Sequence, residues 1–363
     1  MKTLIFGFCW SLVCMTAQAG LDWIVVNDDK SGFVEATSGQ PFIPWGVNYD
    51  HDDSGKLLDE YWIERWDAVV EDLEEIEQLG ANCVRIHLQV GTFMQTPTQV
   101  DPAAIEQLKK LLELAESTGL YLDLTGLACY HKKNVPEWYD KLDEQERWAV
   151  QARFWKAVAQ TCADSPAVFC YDLMNEPVIG GAKNEGEWLA GEPLGGKFFV
   201  QRIALDIGDR NRHDVAAAWV KTLVGAIRQV DSKHLVTVGV IPWAHVWPNA
   251  KPVFYTDQTR EQLDFVSVHF YPQKGQVDKA LDALKVYNIG KPIVVEEMFP
   301  LKCSQDELLD FVRRSQGTAT GWISFYWGKP ADQYDTTTIA GSITGKWLQT
   351  FADVAEEIRR GER

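Results

Sequence analysis

The sequence predicts an α/β chain closed into a (β/α)8 TIM barrel. Three observations carry this: short apolar runs alternate with longer amphipathic ones, there are eight of the short runs, and most contain few charges. The short runs are Phe42–Asn48, Asn82–His87, Leu120–Thr125, Ala167–Leu173, Leu235–Val240, Phe265–Tyr271, Pro292–Glu297 and Trp322–Trp327. Their β-branched and aromatic residues suit strands buried on both faces. Between them, Trp62–Leu79 spaces Trp66, Val69, Val70, Leu73, Ile76 and Leu79 at helical intervals and stops at Gly80. Pro102–Ser117 repeats the pattern, with Asp101 as cap, Pro102 in the first turn and Gly119 past the end. Further helices are expected over Glu146–Ala163, Val215–Val230, Val277–Val286, Gln305–Arg314 and Lys346–Arg359. At the start, Trp23–Val26 and Phe33–Ala36 flank the turn Asn27–Gly32 and read as a β-hairpin plugging the lower end of the barrel. A long insertion after strand 4, residues 178–213, breaks the beat. It is glycine-rich, holds Trp188, Phe198 and Phe199, and is placed to form a wall or lid on the active face.

Residues 1–19 read as a signal peptide, leaving 20–363 as a single catalytic barrel domain. Lys2 supplies the positive end, Leu4–Val13 the apolar stretch, and Ala17-Gln18-Ala19 the cleavage box, with the cut after Ala19. Ser11-Leu12-Val13 before Cys14 is a poor lipid-attachment signal, so a secreted or periplasmic protein is expected. No other run is apolar enough for a membrane span. The net charge of −17 argues against a nucleic-acid partner, which needs a basic face. Cys83, Cys129, Cys162, Cys170 and Cys303 follow neither a zinc pattern nor a disulfide framework, and a Cys129–Cys162 bridge has no support in the spacing. Core packing is the default for Cys83 and Cys170. A monomer is expected.

In such a barrel, catalytic groups sit at the C-terminal ends of the strands. The fourth run ends in Tyr171-Asp172-Leu173-Met174-Asn175-Glu176-Pro177, and the seventh in Lys291-Pro292-Ile293-Val294-Val295-Glu296-Glu297. Two strand ends facing each other across the mouth therefore each deliver a carboxylate. Cleaving a glycosidic bond needs such a pair: one acid to protonate the leaving oxygen, one carboxylate under the sugar ring. Taken alone, Asn175-Glu176-Pro177 reads as a helix start, with Asn as cap and Pro in the first turn. The glutamates of the seventh run reverse that reading.

On these residues the chain resembles glycoside hydrolase family 5. An Asn-Glu-Pro closes strand four, matched by Asn175-Glu176-Pro177, and a Lys-Pro followed by four residues and then the nucleophile is matched from Lys291-Pro292, which selects Glu297 and leaves Glu296 at the variable position. The strand-two arginine is Arg85, the strand-six His-x-Tyr is His269-Phe270-Tyr271, the strand-eight tryptophan is Trp327, and the strand-one Gly-x-Asn is Gly46-Val47-Asn48. The resemblance implies a retaining O-glycosyl hydrolase, cellulase- or mannanase-like, acting on β-linked oligo- or polysaccharides with Glu176 as acid/base and Glu297 as nucleophile. It further implies that Arg85 depresses the Glu297 pKa and that Tyr271 hydrogen-bonds Glu297. Asn175 is expected to bind the sugar 2-hydroxyl, Trp327 to floor the cleavage site, and His269 to join the acid/base network. Many members end strand three with a histidine; here Thr125-Gly126 stands there, and His131 is a candidate for the same space.

No cofactor is implied. Asp50, His51, Asp52 and Asp53 suggest a metal cluster at first glance, but consecutive acids on a loop are usually solvated. Trp243 and Trp247, after the fifth run, fit loop packing and sugar platforms equally. The competing reading is a catalytically silent carbohydrate-binding barrel, which would lack one of the two glutamates. A serine hydrolase would need a Gly-x-Ser-x-Gly elbow, and none occurs.

Overall fold

The computed structural model describes residues 20–181, 186–325 and 327–361. The leader and its cleavage box at residues 1–19 lie outside them, as does Tyr326. The barrel strands are β1 (Trp45–Asn48), β2 (Cys83–Gln89), β3 (Tyr121–Ala128), β4 (Val168–Asp172), β5 (Leu235–Thr237 and Gly239–Val240), β6 (Val266–His269), β7 (Ile293–Met298) and β8 (Gly321–Ser324). They pair in parallel and in sequence, and β8 returns to β1 through Trp322 opposite Trp45. Strand β5 is interrupted at Val238: its first half pairs with β4, its second with β6, so this strand closes the ring. Almost every strand residue is buried, as expected for a sheet covered by helices outside and side chains inside.

The helices follow the expected beat: α1 (Trp66–Gln78), α2 (Pro102–Thr118), α3 (Glu144–Cys162), α4 (Arg212–Ile227), α5 (Val277–Lys285), α6 (Gln305–Ser315) and α7 (Ile339–Arg359). The Asp101 side chain accepts from the backbone N–H of Ala103 at 2.7 Å, and Gly119 ends α2 in the left-handed conformation. Helix α7 begins earlier than Lys346, capped by Thr338. The glycines that hide its first turns from a propensity reading are spatially required: a side chain at Gly345 would lie 2.8 Å from the Ala331 carbonyl. Between β5 and β6 the helical part shrinks to the short turn Trp243–Val246. No described helix is long and apolar enough to cross a membrane.

The N-terminal hairpin pairs Ile24–Val26 with Phe33–Glu35, and Pro41–Phe42 adds a third strand. Phe33 and Phe42 meet Phe169, Phe265 and Tyr121 with ring centroids 4.8–5.6 Å apart. These rings form one cluster with Cys83, Cys170, Leu235, Val294 and Ile323 from five of the barrel strands. The plug therefore closes the lower end with hydrocarbon and leaves the upper end to polar groups. Cys83, Cys129, Cys162, Cys170 and Cys303 are all unbridged.

The insertion has structure of its own: Pro177–Ile179, Leu189–Ala190 and Val200–Ala204 form a small sheet. It is tied to the end of β3 and the turn after it: the Leu127 carbonyl accepts from the Gln201 amide at 2.9 Å, and the Tyr130 carbonyl accepts from the Phe198 N–H at 2.9 Å.

Gly239 is where ring closure meets the interior. A Cβ there would collide with Glu296 Oε2 and stand 2.8 Å from His269 Nε2 and 3.1 Å from Asp172 Oδ2. Gly239→Ala is expected to cost about 1–3 kcal/mol in urea unfolding, the usual cost of overpacking. Gly225→Ala, in α4 with open space around it, is expected to stabilise by ~0.5–1 kcal/mol in the same assay.

Candidate active site

Strand ends bring the polar side chains to the upper mouth. Asn48 on β1 stands in register with Arg85 on β2, and Arg85 with Asp123 on β3. Adjacent strand residues normally face opposite sides, so Glu296 and Glu297 should not both point inward. A bulge resolves this. Val268 pairs with Val295 but His269 pairs with Glu297, leaving Glu296 as the extra residue, and both glutamates are buried. Glu176 reaches the mouth by another device. Its φ is +46°, a left-handed conformation that is uncommon for a residue with a side chain, and its N–H donates to the Gly239 carbonyl at 2.9 Å.

Arg85 is the centre of the site. Its side chain is fully buried, and Nη1 donates to Glu297 Oε1 at 2.7 Å and to Asn48 Oδ1 at 2.9 Å. Nη2 donates to Asp172 Oδ2 at 2.8 Å and to Asn175 Oδ1 at 2.9 Å, and lies 3.5 Å from Glu296 Oε2. The Tyr271 hydroxyl donates to the other oxygen of Glu297 at 2.7 Å. His269 Nδ1 stands 3.0 Å from Glu176 Oε1 and 3.5 Å from Glu297 Oε2. One oxygen of Glu176, one of Glu297 and a His269 nitrogen all fall within 4.8 Å of one another. The Glu176 side chain keeps 17% of its surface accessible and Glu297 7%, so both remain reachable from the mouth.

Charge in this space is tightly linked. Burial works against an ionised Glu296, but Arg85 and His269 together hold its carboxyl down at about 2. Burial and the charge of Glu296 lift Asp172 to about 6 against the pull of Arg85. Burial and Glu296 also push Asp123 well above the carboxylate range. Burial disfavours an imidazolium at His269, yet Glu297, Glu176 and Glu296 outweigh it and raise the ring to about 10. For Glu297, Arg85 does pull the carboxyl down, as expected from the sequence, but burial is larger and the net direction is upward. That corrects the expectation of a depressed nucleophile.

The same three groups have metal-like spacing. Their chemistry fits proton transfer better. Both Glu297 oxygens already accept hydrogen bonds, from Arg85 and from Tyr271, and the Arg85 guanidinium would repel a cation placed beside them.

The model of the family described as cellulase (glycosyl hydrolase family 5) matches residues 58–322, spanning β2 to the start of β8. The chain belongs to glycosyl hydrolase family 5. Mannan endo-1,4-beta-mannosidase A of Podospora anserina is 23% identical over 222 residues, which cover 54% of this chain and 51% of that enzyme. The chain thus spans about half the length of this curated relative. An exo-beta-1,4-mannosidase from Opitutaceae bacterium strain TAV5 shares the fold with a TM-score of 0.69 at 17% identity, over 93% of this chain and 63% of that one. A beta-1,4-mannanase from the sea hare Aplysia kurodai superposes with a TM-score of 0.60 at 16% identity, over 90% and 96% of the two chains.

Within this family 5 barrel, the structure gathers Asn48, Arg85, Asn175, Glu176, His269, Tyr271 and Glu297 at one mouth. Trp327 is placed differently. It is fully buried, edge-on to Tyr49 at 5.6 Å, with no accessible face for a sugar, which corrects its expected place as the floor. The partly exposed ring at the end of β8 is Phe325, which meets Phe199 of the insertion at 5.9 Å. The Phe199 carbonyl accepts from Asn175 Nδ2 at 2.8 Å. Thr125 donates to Asp172 Oδ2 at 2.9 Å, and Gly126 is required because Trp155 and Phe154 press against it. His131 turns away to Glu60 at 3.1 Å; Tyr130 instead bonds His87.

Sequence reasoning overlooked Asp172, Asp123 and the inward turn of Glu296. Asp172 alone left a signal, a charge ending an otherwise apolar run. A cleft of about 640 Å³ opens beside Pro177, bordered by Val240, Trp243 and Trp247, whose rings lie 5.2 Å apart. A larger cavity of about 820 Å³, between the plug and α7, contains none of these groups and is remote from the chemistry.

Removing the central cation tests the electrostatic account. Arg85→Ala leaves buried acids uncompensated and should cost roughly 3–5 kcal/mol near pH 8. Without Arg85 these acids bind protons more tightly folded than unfolded. Stability is then lost as pH rises, and the deficit shrinks towards pH 5. Urea unfolding of both proteins at the two pH values checks this.

Proposed function

We propose that this family 5 hydrolase cleaves β-linked glycans with retention, Glu297 acting as nucleophile and Glu176 as acid/base. The observation that carries the reading is that one carboxyl oxygen of Glu176 and one of Glu297 lie within 4.8 Å of each other. Retaining enzymes hold the pair at about 5–5.5 Å, whereas inverting enzymes need about 6.5–9.5 Å to admit a water. A Glu297 oxygen attacks the anomeric carbon while Glu176 gives its proton to the departing glycosidic oxygen. The glycosyl ester that results is opened by water: Glu176, now a carboxylate, takes the water proton, the water oxygen bonds to the anomeric carbon, and Glu297 leaves as carboxylate.

Arg85 and Tyr271 orient the two oxygens of Glu297. Asn175 gives one amide hydrogen to Phe199, and its second suits the sugar 2-hydroxyl. The cleft at Trp243 and Trp247 adjoins Glu176 and is suited to the leaving group. The relatives are named for β-1,4-mannosidic bonds, so the proposed substrate is a β-mannan or manno-oligosaccharide. Export is proposed on the strength of Lys2, Leu4–Val13 and Ala17-Gln18-Ala19.

A panel of β-mannans, β-glucans and aryl β-glycosides tests the substrate. On the preferred one, Glu176→Gln and Glu297→Gln should each lower kcat by about two to four orders of magnitude. Wild-type rates in both variants would remove the assignment. Proton NMR of the first product should show the β-anomer, and an initial α-anomer refutes retention.

The upward shift of Glu297 sets the acid side of the pH profile. Activity requires the carboxylate, so kcat/KM should fall on acidification at a higher pH than an ordinary glutamate would give. Tyr271→Phe deletes a hydrogen bond that favours the carboxylate, so this limb should move higher still.

A further inference from the structure

Glu296 takes no part in the chemistry above, yet it is the more deeply buried of the two β7 glutamates. The bulge turns it inward. Ser267 donates to Oε1 at 3.0 Å, while Oε2 lies 3.3 Å from His269 Nε2 and 3.5 Å from Arg85 Nη2. Its backbone carbonyl accepts from Asn48 Nδ2 at 3.1 Å. It thus stands between the arginine that holds Glu297 and the histidine that touches Glu176. Packing does not account for it, because an apolar side chain would fill the space without the cost of burying a charge.

We propose that Glu296 is a positioning residue for the acid step: its carboxylate accepts Nε2–H of His269 and holds the ring protonated on both nitrogens, so that Nδ1–H donates towards Glu176. The proposal rests on the hydrolase roles assigned to Glu176 and Glu297. A neutral imidazole carries one proton, on one nitrogen. If Nε2 held it for Glu296, the Nδ1 lone pair would face Glu176 at 3.0 Å and take the proton that the leaving group needs. A ring protonated on both nitrogens cannot do so. Glu176 Oε1 then accepts from Nδ1–H, and the acid proton is confined to Oε2, free to meet the glycosidic oxygen. In the second half of the reaction the same Nδ1–H steadies the Glu176 carboxylate while it takes a proton from water. His269 ends each half with the protons it began with.

The charge on Glu296 adds to those of Glu297 and Glu176 in keeping the ring in this state. The other groups around the ring and its partners are Glu176 from the turn after β4, Asp172 from β4, Asp123 from β3 beside Glu296, Glu297 from β7, Arg85 and His87 from β2, and Tyr271 just after β6. The acids favour the second ring proton, and Arg85 opposes it.

Glu296→Gln in the full chain keeps the shape and an acceptor oxygen but deletes the charge. Nitrogen NMR of the imidazoles, with His269→Asn for assignment, should show wild-type His269 protonated on both nitrogens from about pH 6 to about pH 9. In the variant its titration should fall inside that range. Hydrolysis of aryl β-glycosides should drop roughly 100-fold where the leaving group is poor and needs the acid. With an activated dinitrophenyl leaving group the drop should be slight, and Glu296→Asp should recover part of the loss. Equal losses with good and poor leaving groups, with the His269 titration unmoved, would overturn the proposal. So would a neutral His269 in the wild type at pH 7, which decides the matter even if the variant does not fold. A wild type that hydrolyses nothing would instead overturn the hydrolase reading, and the NMR titration would still report on the Glu296–His269 contact.

Discussion

One buried guanidinium organises this molecule. Arg85 is in the barrel interior, where a single positive charge is costly, and it is tolerated because four side-chain oxygens from four different partners accept from it. Those partners come from β1, β4, the turn after β4, and β7. Their carboxylates are costly in turn without Arg85. The interior of the upper barrel is thus a mutual arrangement of charges rather than a hydrocarbon core with a site placed on top. Asn48, Asn175 and Glu297 are oriented by the same group, so the geometry of the mouth follows from how one side chain is satisfied.

The lower barrel is built on the opposite principle. The hairpin plug and the strand residues packed on it bury aromatic and aliphatic surface, and this hydrophobic end supplies stability that the polar end does not. Between the two lies Gly239, where the closing strand has no side chain, so Glu296, His269 and Asp172 can occupy the axis. Division of labour along the axis explains how the fold carries a dense cluster of acids at the end where they are useful.

The fold was legible because it is written in periodicity. Eight apolar runs fell on the eight strands, and Asp101 and Gly119 marked the ends of α2 as capping chemistry requires. The residues gathered at the mouth were legible for a related reason: a strand-end rule and a family resemblance both depend on position in the chain. What escaped depends on geometry that a linear reading lacks. The β7 bulge makes both Glu296 and Glu297 face inward, where alternation would turn one outward. Depth within the wall decides that Trp327 is fully buried while Phe325 is partly exposed. Burial outweighs Arg85 at Glu297 because it sums over every neighbour, and no single pair in the sequence displays it.

The hydrogen bond from Asn175 to the Phe199 carbonyl has a consequence for how family 5 barrels could be re-engineered. Residue 199 belongs to the inserted segment, so the segment is spliced into the amide beside Glu176 and, through Phe198 and Gln201, into the end of β3 and the turn after it. It behaves as masonry. A designer who transplanted a shorter connection from another barrel would strip an acceptor from Asn175 and two ties from the neighbouring strand end and turn. Changing the shape of the sugar's berth would therefore disturb the orientation of the amide that greets it, unless both were redesigned together.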